Sequence, residues 1–164
     1  DLGYSVKEIG FMSGIVGTST AALMSFGGGF IIRKIGRTPA IYLFALINVL
    51  TGLYFYLITL SVPSVVALYA GIILLWASYG LSSVVIYTTS MDAVRPQSAG
   101  TDFTVQIVIT HLSSMLIAVF SGKLGDVMGY HQLFGVEMLM SVLSVAILCI
   151  AYPIRFKTWK SPAN

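Results

Sequence analysis

Charge is what this sequence has least of. Only 9% of its 164 residues are Asp, Glu, Lys or Arg, whereas 57% are hydrophobic. A water-soluble domain carries about 25% charged residues, because its surface must face water. A chain this poor in charge cannot cover such a surface, so lipid is the expected solvent. The net charge of +3 comes from scattered basic residues, which form no patch of the kind that nucleic-acid binding needs. Cysteine occurs once, as Cys149, which excludes an internal disulfide and a Cys-based metal cluster. Within its apolar run, Cys149 reads as a small buried hydrophobe. Proline is missing from the interior of every long apolar run: Pro39, Pro63, Pro96, Pro153 and Pro162 fall at edges or in connections. Strand-like alternation is also absent, which argues against a transmembrane barrel. No phosphate-binding glycine loop with Lys and Ser/Thr is present, so nothing points to ATP-driven chemistry. The sequence opens at Asp1 on a short polar stretch without a basic start or cleavage site. It is therefore expected to be a piece of a longer protein.

What is present is a set of long apolar runs. A membrane-crossing helix needs about 20 mostly apolar residues. Five segments meet this: Ile9 to Ile32, Pro39 to Ser61, Ser64 to Ser90, Thr101 to Ser121, and His131 to Tyr152. The expected fold class is thus an all-α polytopic membrane protein with five transmembrane helices. Lys and Arg in the short loops set its orientation. Arg33, Lys34, Arg37, Arg95, Arg155, Lys157 and Lys160 fall on one side, and only Lys7 and Lys123 on the other. The first side is expected to be cytoplasmic, with the N-terminal end external and the basic C-terminal end inside.

The first basic turn reads Gly29-Phe-Ile-Ile-Arg33-Lys34-Ile-Gly36-Arg37. Its glycines permit a tight bend, and Arg33 and Lys34 suit the negative end of a helix dipole. Gly29, Gly36 and Arg37 match the pattern Gly-x-x-x-Asp-Arg-x-Gly-Arg, and in this respect the chain resembles the major facilitator superfamily of transporters. Leu2-Gly3-Tyr4-Ser5 and Glu8-Ile9-Gly10 are similar to that family's external lead-in to such a helix. Arg33 stands where the pattern has Asp, which weakens the motif's ion pair and resembles its degenerate second copy. The stretch from Met91 to Gln106, with Asp92, Arg95, Pro96, Gly100, Asp102 and Phe103, is similar to the loop before the eleventh helix in one branch. That branch holds the muropeptide permeases and the rhizobactin and pyochelin siderophore permeases. Gly122, Asp126, Gly129, Tyr130 and Phe134 resemble its turn between the last two helices. The resemblance implies that the spans correspond to helices eight to twelve of a twelve-helix fold. The seventh helix and the N-terminal half would then be the missing partner of this chain.

Polar residues at membrane depth are costly and mark candidate sites. His111 lies near the middle of the fourth span, about 15 Å deep at 1.5 Å per residue. On that helix Val105, Val108, Ile109, Leu112, Met115, Leu116 and Val119 form an apolar arc expected to face lipid. Asp102, Gln106, Thr110, Ser113 and Ser114 form a polar arc expected to face the bundle or a cavity, with His111 on its flank beside Thr104. Histidine can change charge near physiological pH, so His111 is a candidate for substrate binding or proton coupling; a packing hydrogen bond is the other reading. On the third span Tyr69, Trp76, Tyr79, Gly80, Ser83, Tyr87 and Ser90 share one side. Trp76 and Tyr79 are deep enough to stack on a ligand, with packing alone as the favoured reading, whereas Tyr69 and Tyr87 fit an interfacial aromatic belt. The resemblance implies that the first, third and fourth spans here line the cavity, while the second and fifth are peripheral, which adds weight to the stripes on the third and fourth. Glu137 could carry protons, or be protonated or hydrogen-bonded near the membrane boundary, the reading its peripheral span favours; Asn48 is expected to bond between helices, and Gly10, Gly14 and Gly17 to form a face for close packing.

The expected function is secondary active transport of a small solute across a bacterial inner membrane, coupled to a proton. The resemblance suggests siderophore uptake first, then a muropeptide or other solute. A sensor or assembly subunit that moves no solute is the rival reading. An intramembrane enzyme is disfavoured. His111 and Ser114 are neighbours on one helix, but Asp102 lies about 13 Å below His111, and no other acid completes a triad. No cofactor or metal is expected.

Overall fold

The computed structural model describes residues 5–60 and 63–156. Leu2 to Tyr4, Ser61, Lys157, Lys160 and Pro162 lie outside the described residues. Five helices among those described are long and apolar enough to cross a membrane, and no strand occurs among them. The first span is built from α1 (Val6–Gly10), a π-helical segment (Phe11–Gly17) and α2 (Thr18–Ile35). The others are α3 (Arg37–Ile58), α4 (Val65–Asp92), α5 (Ala99–Met128) and α6 (Tyr130–Phe156), with a short 3₁₀ turn at Pro96–Ser98 before α5.

Local chemistry sets the ends. Ser5 caps α1 by accepting from the Glu8 N–H at 3.3 Å, while the Glu8 carboxylate accepts from the Ser5 N–H at 2.8 Å, the reciprocal arrangement of a capping box. Ser64 caps α4 through the Ala67 N–H. Two turns consist of a single residue, Gly36 (φ 87°) between α2 and α3 and Gly129 (φ 81°) between α5 and α6. Side chains rarely tolerate that backbone region. Helix α6 runs through Pro153 to Phe156, beyond the expected end at Tyr152. A proline so near a helix end forfeits one hydrogen bond without ending the helix.

Helix α4 is the centre of the bundle, packing against α2 on one side and α3 on the other, and α3 in turn packs on α6. Between α2 and α4 the backbones nearly touch: Gly80 lies against Ala21, and the Ser25 hydroxyl donates to the Gly80 carbonyl at 3.0 Å. Ala40, Phe44 and Leu81 form the buried core beside Ile31, Ile32, Ile47 and Val85. Between α3 and α6 Phe55 stacks on Phe134 at 5.4 Å and Tyr56 on His131 at 4.9 Å. The Thr59 hydroxyl donates to the Tyr56 carbonyl at 2.7 Å, so it accepts from His131 Nδ1–H at 2.8 Å.

Most large apolar side chains point outward, Phe26 at 73% and Leu139 at 70% exposure among them, as lipid-facing residues do. Cys149 is exposed too, contrary to the buried position expected, because it lies on the outward side of α6. Of the expected glycine face only Gly17 packs, beneath the Trp76 indole; a Cβ built at Gly10 or Gly14 would meet no side chain or other helix within 4 Å.

Candidate functional site

The end of the bundle that carries Arg37 and Arg95, here the basic end, is organised by two ion pairs. Arg37, at the start of α3, pairs with Asp92 at the end of α4. Arg95 grips Asp102 with both prongs, Nε to Oδ2 at 2.8 Å and Nη2 to Oδ1 at 2.8 Å, while its backbone N–H donates to Oδ2 at 3.1 Å. This two-pronged geometry is the strong form of an ion pair. It holds the Arg95 guanidinium above its usual pKa, chiefly through the hydrogen bond to Asp102. Asp102 also sits in the first turn of α5, where the helix dipole favours a negative charge. The motif Arg37 is therefore paired even though Arg33 replaces the pattern's Asp. Arg33 is exposed, with no ion pair among the described residues, and Gly29 is half-buried near the end of α2.

From this hinge α4 and α5 diverge. Helix α5 meets α4 near its start and α6 near its end, and makes no contact with α2 or α3 among the described residues. Every residue from 111 to 120 is exposed. The partly covered residues Phe103, Gln106, Ile107, Thr110, Ser121 and Gly125 recur at helical spacing, and this stripe continues through Ser114. The bundle-facing side of α5 is thus largely small or polar at its centre. Gln106 and Thr110 are half-buried, whereas Ser113, Ser114 and the apolar arc are exposed. Thr110 donates to the Gln106 carbonyl at 2.9 Å and Ser114 to the Thr110 carbonyl at 2.9 Å. His111 is exposed and makes no hydrogen bond among the described residues.

The α4 stripe divides. Trp76 lies over Gly17 of the π segment and Gly80 against Ala21, so both serve the α2 contact. Tyr79 remains 56% exposed, edge-on to Trp76 at 5.8 Å and 75°, and accepts the Ser83 hydroxyl at its carbonyl at 2.8 Å. Ser83 lies about 14 Å from the end of α4 and Thr110 about 16 Å from the start of α5, at 1.5 Å per residue. Tyr79 and Ser83 therefore lie at the same depth as Thr110, His111 and Ser114 of the diverging helix α5. At that depth the two helices carry hydroxyl, phenol and imidazole groups. Asp102 is engaged by Arg95 at the basic end. Among the described residues no group of three His, Cys, Asp or Glu converges.

No protein-family model matches the chain, and no solved structure matches it. The assignment of a role to α4 and α5 therefore rests on their own chemistry. Two features were missed in the sequence reading. The π-helical segment lacks any residue signature of its own, and the α3–α4–α6 junction draws together residues distant in sequence. There Asn48, as expected, bonds between helices, its Nδ2 donating to Ser82 Oγ at 3.1 Å. Glu137 makes no hydrogen bond or ion pair among the described residues.

Proposed function

We propose that this chain is part of a secondary transporter of the major facilitator type, placed in a bacterial inner membrane with its basic end in the cytoplasm. The reading rests on one observation: α5 diverges from the bundle, leaving a cleft beside α4, and carries Gln106, Thr110, His111 and Ser114 at mid-helix although the surrounding medium is lipid. Polar side chains at membrane depth are expensive unless they face water, a substrate or each other, and transporter sites lie near the bilayer midplane between helices. In this reading Tyr79, Ser83, Gln106, Thr110, Ser114 and His111 line the substrate path, with His111 exchanging the coupling proton. The Arg37–Asp92 and Arg95–Asp102 pairs hold the cytoplasmic end of that path. The turn residues Gly29, Gly36 and Arg37 add the family resemblance, and the stretch from Met91 to Gln106 favours a ferric siderophore as substrate, with a muropeptide second.

The test is energised uptake of a labelled ferric siderophore by cells expressing the full-length protein with His111 or with His111→Ala. Uptake that requires the protein and falls at least tenfold in the variant is expected. Equal uptake by a well-expressed His111→Ala protein removes His111 from the mechanism. No uptake by either discards the siderophore and makes muropeptides the next substrate to assay.

A further inference from the structure

A second concavity lies away from the α4–α5 cleft. It is an open groove of about 490 Å³ bounded by α3, α4 and α6, with Asn48 and Glu137 on its exposed side and no α5 residue in its lining. That volume falls within the roughly 300–1,000 Å³ of small-molecule sites. Phe44, Val85 and Leu148 contribute to its apolar walls. Its polar groups lie at membrane depth. Glu137 sits about 10 Å into α6, and Asn48 and Ser141 about 16 Å into α3 and α6, at 1.5 Å per residue.

These groups are not used up by the fold. Asn48 spends one N–H on Ser82, leaving its carbonyl oxygen and second N–H. The Ser141 hydroxyl and the Glu137 carboxylate have no hydrogen-bond partner among the described residues. Lining the cavity there is no Lys, Arg or His, so an anionic ligand would meet a carboxylate and no counter-charge. An unpaired carboxylate within a membrane calls for a partner. We propose that this cavity binds an amphipathic organic amine, with Glu137 as counter-charge to the ammonium group. Its alkyl portion lies along α6 toward Leu148, about 16 Å away at 1.5 Å per residue. Asn48 and Ser141 lie midway, placed to accept or donate to a polar group on the ligand. The site stands whether or not the α4–α5 cleft carries substrate.

The experiment measures saturable binding of tritiated dodecylamine to the full chain in lipid nanodiscs, with empty nanodiscs subtracting partition into lipid. Dodecanol, of equal chain length and no charge, is the competitor. Saturable amine binding that dodecanol displaces at least tenfold less well than unlabelled amine is expected. Glu137→Gln should weaken amine binding at least tenfold, Glu137→Asp should retain most of it, and Ser141→Leu should weaken it by narrowing the groove between Glu137 and Leu148. Each variant is compared with the parent by thermal melting, so that loss of fold is not read as loss of binding. Amine binding unchanged in Glu137→Gln overturns the proposal. So does the absence of any saturable site, which is the result if another helix or a second copy of the chain occupies the groove.

Discussion

Replacing Gly80 with alanine tests the crossing on which this bundle is built. A Cβ added at Gly80 would fall on the Ala21 carbonyl oxygen and lie 3.1 Å from the Ala21 Cα. Both atoms belong to the backbone of α2, which cannot swing aside as a side chain does. Overpacking of this kind costs about 1–3 kcal/mol. Separating the helices would also stretch the bond from the Ser25 hydroxyl to the Gly80 carbonyl, 3.0 Å long, a further loss of about 0.5–1.5 kcal/mol. Against this, alanine is favoured over glycine within a helix by about 1 kcal/mol. The net expectation is a destabilisation of about 1–3 kcal/mol. Gly27, on α2, is the control, because nothing lies within 4 Å of a Cβ built there. Gly27→Ala should stabilise by about 0.5–1 kcal/mol through helix propensity alone. Unfolding of the purified protein by dodecyl sulfate, followed by circular dichroism, measures both. A Gly80→Ala protein as stable as the parent, or a shift of the same sign at both glycines, would refute the crossing.

Gly36→Ala should destabilise by about 1–3 kcal/mol, because φ 87° with ψ 166° is a backbone region that only glycine occupies readily; the same unfolding assay reads it. The Arg37–Asp92 pair is about half exposed on both sides, so an Arg37→Ala and Asp92→Ala double-mutant cycle should give a coupling of only about 0.2–1 kcal/mol. That coupling should shrink as salt is raised, and a larger, salt-independent value would mean that the pair is buried by something further.

The helices were legible in the sequence because apolar length alone defines them, and their ends because Ser64, Gly36 and Gly129 punctuate them. Boundaries were least legible where helices run on beyond the apolar core. The first span reaches from Lys7 to Ile35 and the fourth from Pro96 to Met128, outside the expected 9–32 and 101–121. Residues such as Glu8, Lys123 and Asp126 continue a helix at depths where water already reaches them, and hydropathy cannot register that. Pairing between helices was not legible at all, since every span is similarly apolar. Gly80 and Trp76 illustrate this, for their spacing put them on one stripe with Tyr79 and Ser83, open to ligand contact or to packing, without showing which helix it meets. Gly80 packs on Ala21 of α2, and Trp76 on Gly17 just before it. The Arg95–Asp102 grip was visible only as two charges in a loop.

Why α5 stands apart while α2 and α4 nearly touch follows from how helices associate in lipid. Burying apolar surface against another helix gains little over burying it in acyl chains, so close association depends on small residues and interhelical hydrogen bonds. Helices α2 and α4 have both, through Ala21, Gly28, Ala77, Gly80 and the Ser25 bond. The centre of α5 has neither device engaged. Leu112, Met115, Leu116, Ile117 and Phe120 are bulky and exposed, and the Thr110 and Ser114 hydroxyls turn back on their own helix. The helix is held instead at its two ends, by Arg95 on Asp102 and by Gly125 packed against Leu133. An element fixed at its ends and free at its centre can approach or leave α4 without breaking a packed core, whereas α2 cannot leave α4 without opening one. Conformational change is drawn from the least packed elements of a fold. In this bundle that element is α5, and it carries Gln106, Thr110, His111 and Ser114 at the depth of Tyr79 and Ser83 on α4.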